Sequence, residues 1–364
     1  MTLRATPFHA RAAEANRFNA WENRGGCTLA SRYGRSDEEA VAARFGAVIA
    51  DISWHWRAEI AGPRAREFAF RLFTRDVSAL AIGTAKEALW LNDAGAVRGA
   101  GSVARLAEDR FLLVSTLEDS DWVASAARLY DVAVRDVTAE EGGLALIGPT
   151  ARKILTAAGI DTDVAPMATR RFDWRGLDTV LSRFGLGYEL WCDPDGALIM
   201  WDRLVTAGRG FALRPAGLEA LDILEYESGV TRAAREFRPA RDGFAPQPSP
   251  QSLGLSGLVD RAHVFNGRTG VIAAGSDASL AGVVLDSEDP VDGAPLTHDG
   301  RTVGRMLNSR FSPAMRAVIG MAILADPWPA GRLMAGPTPC RPVALPFLPI
   351  PAPIGATENM PASV

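Results

Sequence analysis

Short apolar runs broken by glycine, and longer runs in which leucine returns every third position, divide this chain into its elements. Asp178 to Ser182 and Tyr188 to Cys192 are β-like runs split by Phe184-Gly185-Leu186-Gly187, which predicts two strands joined by a tight connection. Glu189 falls just inside the second strand. From Pro215 the spacing lengthens: Leu218, Leu221 and Leu224 recur every three residues and Gly229 supplies a stop, which predicts a helix. That helix carries Glu219, Asp222 and Glu225 along one side. Two readings stand for them: a solvated face, or carboxylates that accept from a polar heteroaromatic ring or bind a cation.

Taken in order, Ser36-Asp37-Glu38-Glu39 has the Ser-x-x-Glu form of a capping box and opens a helix to Phe45, ended by Gly46. Residues 47–61 read as one β segment whose centre, Ser53-Trp54-His55-Trp56-Arg57, mixes large rings with groups that carry protons or charge. It reads either as packing or as an aromatic wall with a polar donor. Ala65, Phe68, Ala69, Leu72 and Phe73 give an amphipathic helix. Glu87 to Leu91 and Ala96 to Val103 are strands joined by the turn Asn92-Asp93-Ala94-Gly95. Gly99 and Gly101 stand inside the return strand, where glycine marks a bulge or a close approach to the backbone. Phe111 to Ser115 and Gly143 to Ile147 are further strands, and Gly148-Pro149 opens a helix bearing Ala151, Ile154, Leu155 and Ala158. Residues 55–73 and 140–158 thus share the order strand, Gly-Pro, amphipathic helix, which suggests two related α+β halves.

After Gly229, Arg232, Arg235, Arg238 and Arg241 recur every three residues, and Pro239, Pro246, Pro248 and Pro250 exclude a long regular element. This predicts an extended crossing segment, its arginines either solvated or gripping substrate carboxylates. Strands are predicted over Ala281–Leu285, Val303–Ser309, Val318–Ile323 and Val343–Phe347, with Asp299-Gly300 as a turn, fitting a small antiparallel barrel or sandwich. The proline-rich end from Pro349 reads as a tail.

The 364 residues, 48% hydrophobic, are enough for two or three domains. A net charge of -4, from 39 basic and 43 acidic side chains, argues against a nucleic-acid groove or an anionic membrane surface as partner. Cys27, Cys192 and Cys340 lack CxxC spacing, and His9, His55, His263 and His298 form no recognised ligand pair, so no metal is expected. With no apolar leader and no run of membrane-spanning length, a cytoplasmic location is expected.

Several landmarks together resemble the glycine-cleavage T-protein (aminomethyltransferase) superfamily, which also contains tetrahydrofolate-dependent demethylases. They include Ala50-Asp51-Ile52-Ser53 before Gly62-Pro63; Leu91-Asn92-Asp93-Ala94-Gly95; Leu146-Ile147-Gly148-Pro149; Gly187-Tyr188-Glu189-Leu190; Pro215-Ala216-Gly217-Leu218; and Val303-Gly304-Arg305 leading into Phe311-Ser312-Pro313. The resemblance implies an α+β fold of three domains around a central opening: two related α+β domains and a C-terminal antiparallel β-barrel. It places a folate-binding domain at 1–46 with 140–245, a second domain at 47–139, a linker and barrel at 246–350, and a tail at 351–364. Tetrahydrofolate is the implied cofactor, its pterin inside the opening against Glu189.

Departures from the family pattern sharpen the expected chemistry. The usual Asp-Asp pair facing the folate nitrogens is Gly99-Ala100, two helix arginines are Leu221 and Glu225, and Ser-His-Met-Gly is Ser53-Trp54-His55-Trp56. The implied function is methyl transfer from a small methylated donor, a methoxylated aromatic acid suiting the tryptophans, with no lipoyl carrier protein as partner. His55 and Tyr188 are the candidate catalytic residues. Trp21, Gly99, Gly101, Glu189 and Glu225 are the cofactor candidates, and Trp54, Trp56 and Arg57 those for the substrate. A second reading is a non-catalytic folate-binding protein assisting iron–sulfur protein maturation, whose relatives carry a cysteine motif absent from Phe265 to Gly270.

Overall fold

The computed structural model describes residues 3–231, 239–240, 248–273, 278–329 and 331–351. The four regularly spaced arginines, Arg232 to Arg241, and the tail beyond residue 351 lie outside the described residues. The fold is α+β, with four β-sheets among these residues. A three-stranded sheet joins Arg4–Ala5, Cys27–Ala30 and Trp21–Arg24. A six-stranded sheet runs, in spatial order, Thr169–Asp173, Asp178–Ser182, Tyr188–Cys192, Gly142–Ile147, Ala47–Asp51 and Leu213–Pro215. A five-stranded sheet runs Ala85–Leu91, Val97–Ala107, Arg110–Ser115, Trp56–Ala61 and Ala133–Asp136. Six strands between Ala278 and Val343 close into a barrel, with Asp299 and Gly300 at φ 49° and 75° in one of its turns. No helix among the described residues is long and apolar enough to cross a membrane.

The repeat seen in the sequence is a repeat in space. Strand Trp56–Ala61 leads through Gly62-Pro63 into helix Ala65–Leu72, and strand Gly142–Ile147 through Gly148-Pro149 into helix Ala151–Ala157. Both glycines have positive φ, 145° at Gly62 and 129° at Gly148. A Cβ on either would come within 2.5 Å of a backbone oxygen, of Asp131 in the first case and Gly46 in the second. Each turn therefore demands glycine on both conformational and steric grounds.

Residues 47–61 are not one β segment. Ala47–Asp51 belongs to the six-stranded sheet and Trp56–Ala61 to the five-stranded one, so residues 52–55 form the turn that carries the chain between them. Asp51 breaks the strand, because its carboxylate accepts from the Ser53 N–H at 2.9 Å, the Asx-type bond that competes with a ladder. Ser53 Oγ then accepts from the Gly143 N–H at 3.0 Å and ties the turn to the sheet.

Helix Ser36–Phe45 forms where expected, without a capping box. Glu39 accepts instead from the Tyr33 and Gly34 N–H groups at 2.7 and 2.6 Å and from the Gly217 N–H at 2.9 Å. One buried carboxylate thus joins this helix to the start of helix Leu218–Glu227.

Helix Leu218–Glu227 is a hub, and its acidic side is largely neutralised from within. Arg24 forks Asp222 at 2.7 and 2.8 Å, and Glu219 lies 4.0 Å from Arg32. Glu227, 1% exposed, accepts from Arg44 and from Ser312 Oγ of the barrel, at 2.5 Å each. The Tyr226 hydroxyl donates to the Asn308 carbonyl at 2.7 Å and accepts from the Met321 N–H at 2.8 Å, while its ring stacks on Phe347 at 6.3 Å. Phe347 therefore packs without being in a strand: the last strand is Thr338–Val343, and Pro346 has no N–H with which to extend it. Helices His9–Ala15, Ser120–Ala127 and Ala197–Gly208 form where the sequence pattern predicts none.

Candidate functional site

Period-two alternation along Tyr188–Cys192 divides its side chains between two environments. Tyr188, Leu190 and Cys192 enter the core with Leu144, Leu146 and Leu181. Trp191 turns to the other face, beside Ile52 and Ala145, and Glu189 shares that parity. Glu189 is 8% exposed, and its carboxylate accepts from Trp191 Nε1 at 3.3 Å, the side chain's single hydrogen bond among the described residues. Burial pushes its carboxyl up to about 7, against smaller opposing effects of the Trp191 hydrogen bond and the Arg57 charge.

Around Trp191 the turn and the two sheets meet. The Arg57 guanidinium lies 4.3 Å from the centre of the Trp191 ring and is held by Glu141 at 2.5 Å. Glu141 also receives Arg171 at 2.7 Å, so the Arg57 charge is balanced away from Glu189. Arg57 Nε is buried with no acceptor among the described residues. His55 is half-buried, edge-on to Trp54 at 4.6 Å and 82°, and 6.5 Å from Trp191. Trp54 packs with Cys27, Leu29 and Leu218 beneath the Arg24 guanidinium, 5.4 Å from its ring. The structure thus assembles Trp54, His55, Arg57, Trp191 and Glu189 into one cluster.

Other residues singled out from the sequence lie elsewhere. Trp56 enters the core of the five-stranded sheet's half, 6.4 Å from Trp90. Tyr188 is 2% exposed on the opposite face of its strand from Trp191, its ring beneath Arg183 at 5.5 Å. Trp21 lies against His9 with the rings tilted, 4.7 Å between centres, and donates to Asn19 at 2.7 Å, and Glu225 is half-buried.

At Gly99 and Gly101, named as cofactor candidates, the protein itself fills the space on the Cβ side. Trp90 is the cross-strand partner of Gly99, and a Cβ there would lie 2.1 Å from its indole. A Cβ at Gly101 would lie 2.4 Å from the Val114 carbonyl oxygen. The close approach expected at these glycines is that of an internal tryptophan and a neighbouring strand.

Trp191 and Glu141 beside Glu189, and Arg98 and Asp119 in the other half, were not among the residues singled out from the sequence. Trp191 was within reach, since period two places it on the same face as Glu189. The other three needed contacts distant in sequence. Asp119 accepts from Trp90 Nε1 at 2.9 Å and from both Arg98 Nε and Nη2, at 2.9 and 2.7 Å. Among the described residues no group of three or more His, Cys, Asp or Glu is placed to hold a metal.

Residues 9–259 match the family described as the GCVT N-terminal domain. An aminomethyltransferase of Frankia alni is 30% identical over 338 residues, covering 88% of this chain and 90% of that protein. A probable aminomethyltransferase of Haloarcula marismortui is 30% identical over 379 residues, covering 96% and 99%. Among solved structures, glycine cleavage system aminomethyltransferase T from Bartonella henselae matches with a TM-score of 0.83 at 22% identity, over 96% of this chain and 99% of that one. This end-to-end likeness overturns the expectation that a lipoyl carrier protein has no place among the partners. That exclusion rested on local substitutions such as Gly99-Ala100, and these leave the whole architecture of a glycine cleavage system component in place.

Proposed function

Because the chain belongs to the GCVT N-terminal domain family, we propose that it is a tetrahydrofolate-dependent one-carbon transferase whose carbon arrives as the methyl group of a small donor. The observation that carries this reading is Glu189, a buried carboxylate with, among the described residues, one long hydrogen bond and no cation bonded to it. Such a group is an acceptor held ready for the N–H edge of a heteroaromatic ring. The residues present therefore fit a pterin. Tetrahydrofolate, when bound, supplies the acceptor for the one-carbon group.

Methyl transfer is favoured over transfer of an aminomethyl group by the positions that carry no carboxylate, Gly99, where Trp90 takes up the space, and Ala100. The donor is a methoxylated aromatic acid, set against the half-buried His55 ring, with Trp54 edge-on behind it. His55, half-buried on the turn between the sheets, holds or gives a proton at the leaving oxygen, an effect of about 10² to 10⁴ in rate. Trp56, enclosed with Trp90, has no part in this reading. A mass-spectrometric screen of O-, N- and S-methyl donors with tetrahydrofolate tests it, with a lipoyl-bound aminomethyl donor alongside. Demethylated acid and 5-methyltetrahydrofolate are the expected products. Methylenetetrahydrofolate from the lipoyl donor, with no methyl transfer from any other class, overturns it.

A further inference from the structure

Glu189 depends on one neighbour for its orientation, and that neighbour is itself clamped. Trp191 Nε1–H reaches one carboxylate oxygen, Oε2, at 3.3 Å, and Oε1 receives no donor among the described residues. The indole lies under the Arg57 guanidinium at 4.3 Å, a separation at which a cation and an aromatic face attract. Glu141 pins Arg57 there at 2.5 Å, and Arg171 pins Glu141 in turn. We infer that Trp191 is a positioning residue: the Arg57–Glu141 pair holds its indole flat, and the indole N–H fixes Oε2 of Glu189 so that Oε1 is presented to the ligand.

The inference rests on the reading of Glu189 as the ring-binding carboxylate. It adds that Arg57 acts on Glu189 through the indole and through space, and is kept from bonding to it by Glu141. Were Arg57 to pair with Glu189 directly, the carboxylate would be consumed as a structural ion pair. Among the described residues the charged group acting on Glu189 is Arg57 from strand Trp56–Ala61, while His55 of the turn lies against Trp191, 6.5 Å between ring centres. Glu141 stands behind Arg57.

The variants have opposite expected signs, which a merely structural role does not produce. A protonated Glu189 offers no carboxylate, so tetrahydrofolate affinity should rise with pH through about 7 in the unaltered protein. Trp191→Phe removes the N–H donor, and Arg57→Met removes the nearby positive charge. Each should move the midpoint of that rise upward, by about half a unit to one unit. Glu141→Gln frees the Arg57 charge to act on Glu189 and should move the midpoint downward.

Two readouts on the full chain keep the inference apart from the reading beneath it. One is anaerobic calorimetric titration with tetrahydrofolate across pH. The other is the ¹³C chemical shift of the Glu189 carboxyl in ligand-free, glutamate-labelled protein, assigned with Glu189→Gln. An unshifted Glu189 titration in Trp191→Phe overturns the inference, as does a common direction of shift in all three variants. Absence of tetrahydrofolate binding at every pH, with the carboxyl still shifting in opposite directions, sinks the ligand reading and leaves the positioning role established.

Discussion

In the half built on the five-stranded sheet, Asp119 accepts from the Trp90 indole at 2.9 Å, and Arg98 closes on the same carboxylate with two further bonds. In the half built on the six-stranded sheet, Glu189 accepts from the Trp191 indole at 3.3 Å, and the nearby arginine stacks on the indole and bonds to Glu141 instead. Both halves bury a carboxylate against a tryptophan N–H, and they differ in where the arginine's charge is used. A carboxylate forked by arginine is neutralised and serves the fold. One left with a single neutral donor keeps the cost of its burial, and a ligand offering N–H groups relieves that cost.

The sharpest way to break the comparison is to remove the neutralised carboxylate. Asp119→Ala leaves the buried Arg98 guanidinium without its counter-charge and should cost about 3 to 5 kcal/mol of stability, read from urea unfolding at pH 7. A loss below about 1 kcal/mol would mean that the pair is not what holds this half together.

Glu189 should respond in the opposite sense. Its folded value of about 7 lies above the ordinary 4.5, so the stability tied to its neutral form is complete below about 4.5 and is lost as pH rises through 7. Glu189→Gln removes that loss. The variant's advantage over the unaltered protein should therefore grow by about 3 kcal/mol between acidic and mildly basic pH, while its affinity for tetrahydrofolate falls. Parallel stability-versus-pH curves for the two proteins would contradict the account of Glu189 as an unneutralised acid.

Gly99→Ala tests whether Trp90 is what closes the other half. A methyl group 2.1 Å from the indole must displace it, and overpacking of this kind costs about 1 to 3 kcal/mol. Near-ultraviolet circular dichroism should change along with the unfolding midpoint, and a variant with unaltered tryptophan signals would show that the space is open after all. The smallest expected effect lies on the turn between the sheets. His55→Gln keeps a hydrogen-bond donor and removes the titratable ring, so turnover should fall about tenfold or more with tetrahydrofolate affinity nearly unchanged. Full turnover in the folded variant would move the leaving-group role to another group, such as Arg57.

What the sequence determined by itself was local. Ser36 to Phe45, Asp178 to Ser182 and Tyr188 to Cys192 took their structure from apolar spacing and glycine stops, because helix and strand geometry repeat over a few residues. The Gly-Pro repeat was legible because its two glycines stand where the backbone admits no Cβ. Glu189 was legible through a motif, and its position on a strand followed from period two. Tertiary structure alone decided which charges meet. Arg98 and Asp119 are 21 residues apart, Arg57 and Glu141 are 84 apart, and Arg24 and Asp222 are 198 apart, so no local spacing signals them. Tertiary structure also decided that Trp54 and Trp56, expected to share a wall, part at a turn into different clusters. The reason is physical: periodicity fixes the face on which a side chain emerges, whereas the charge state and purpose of a buried group depend on what the rest of the chain brings against that face.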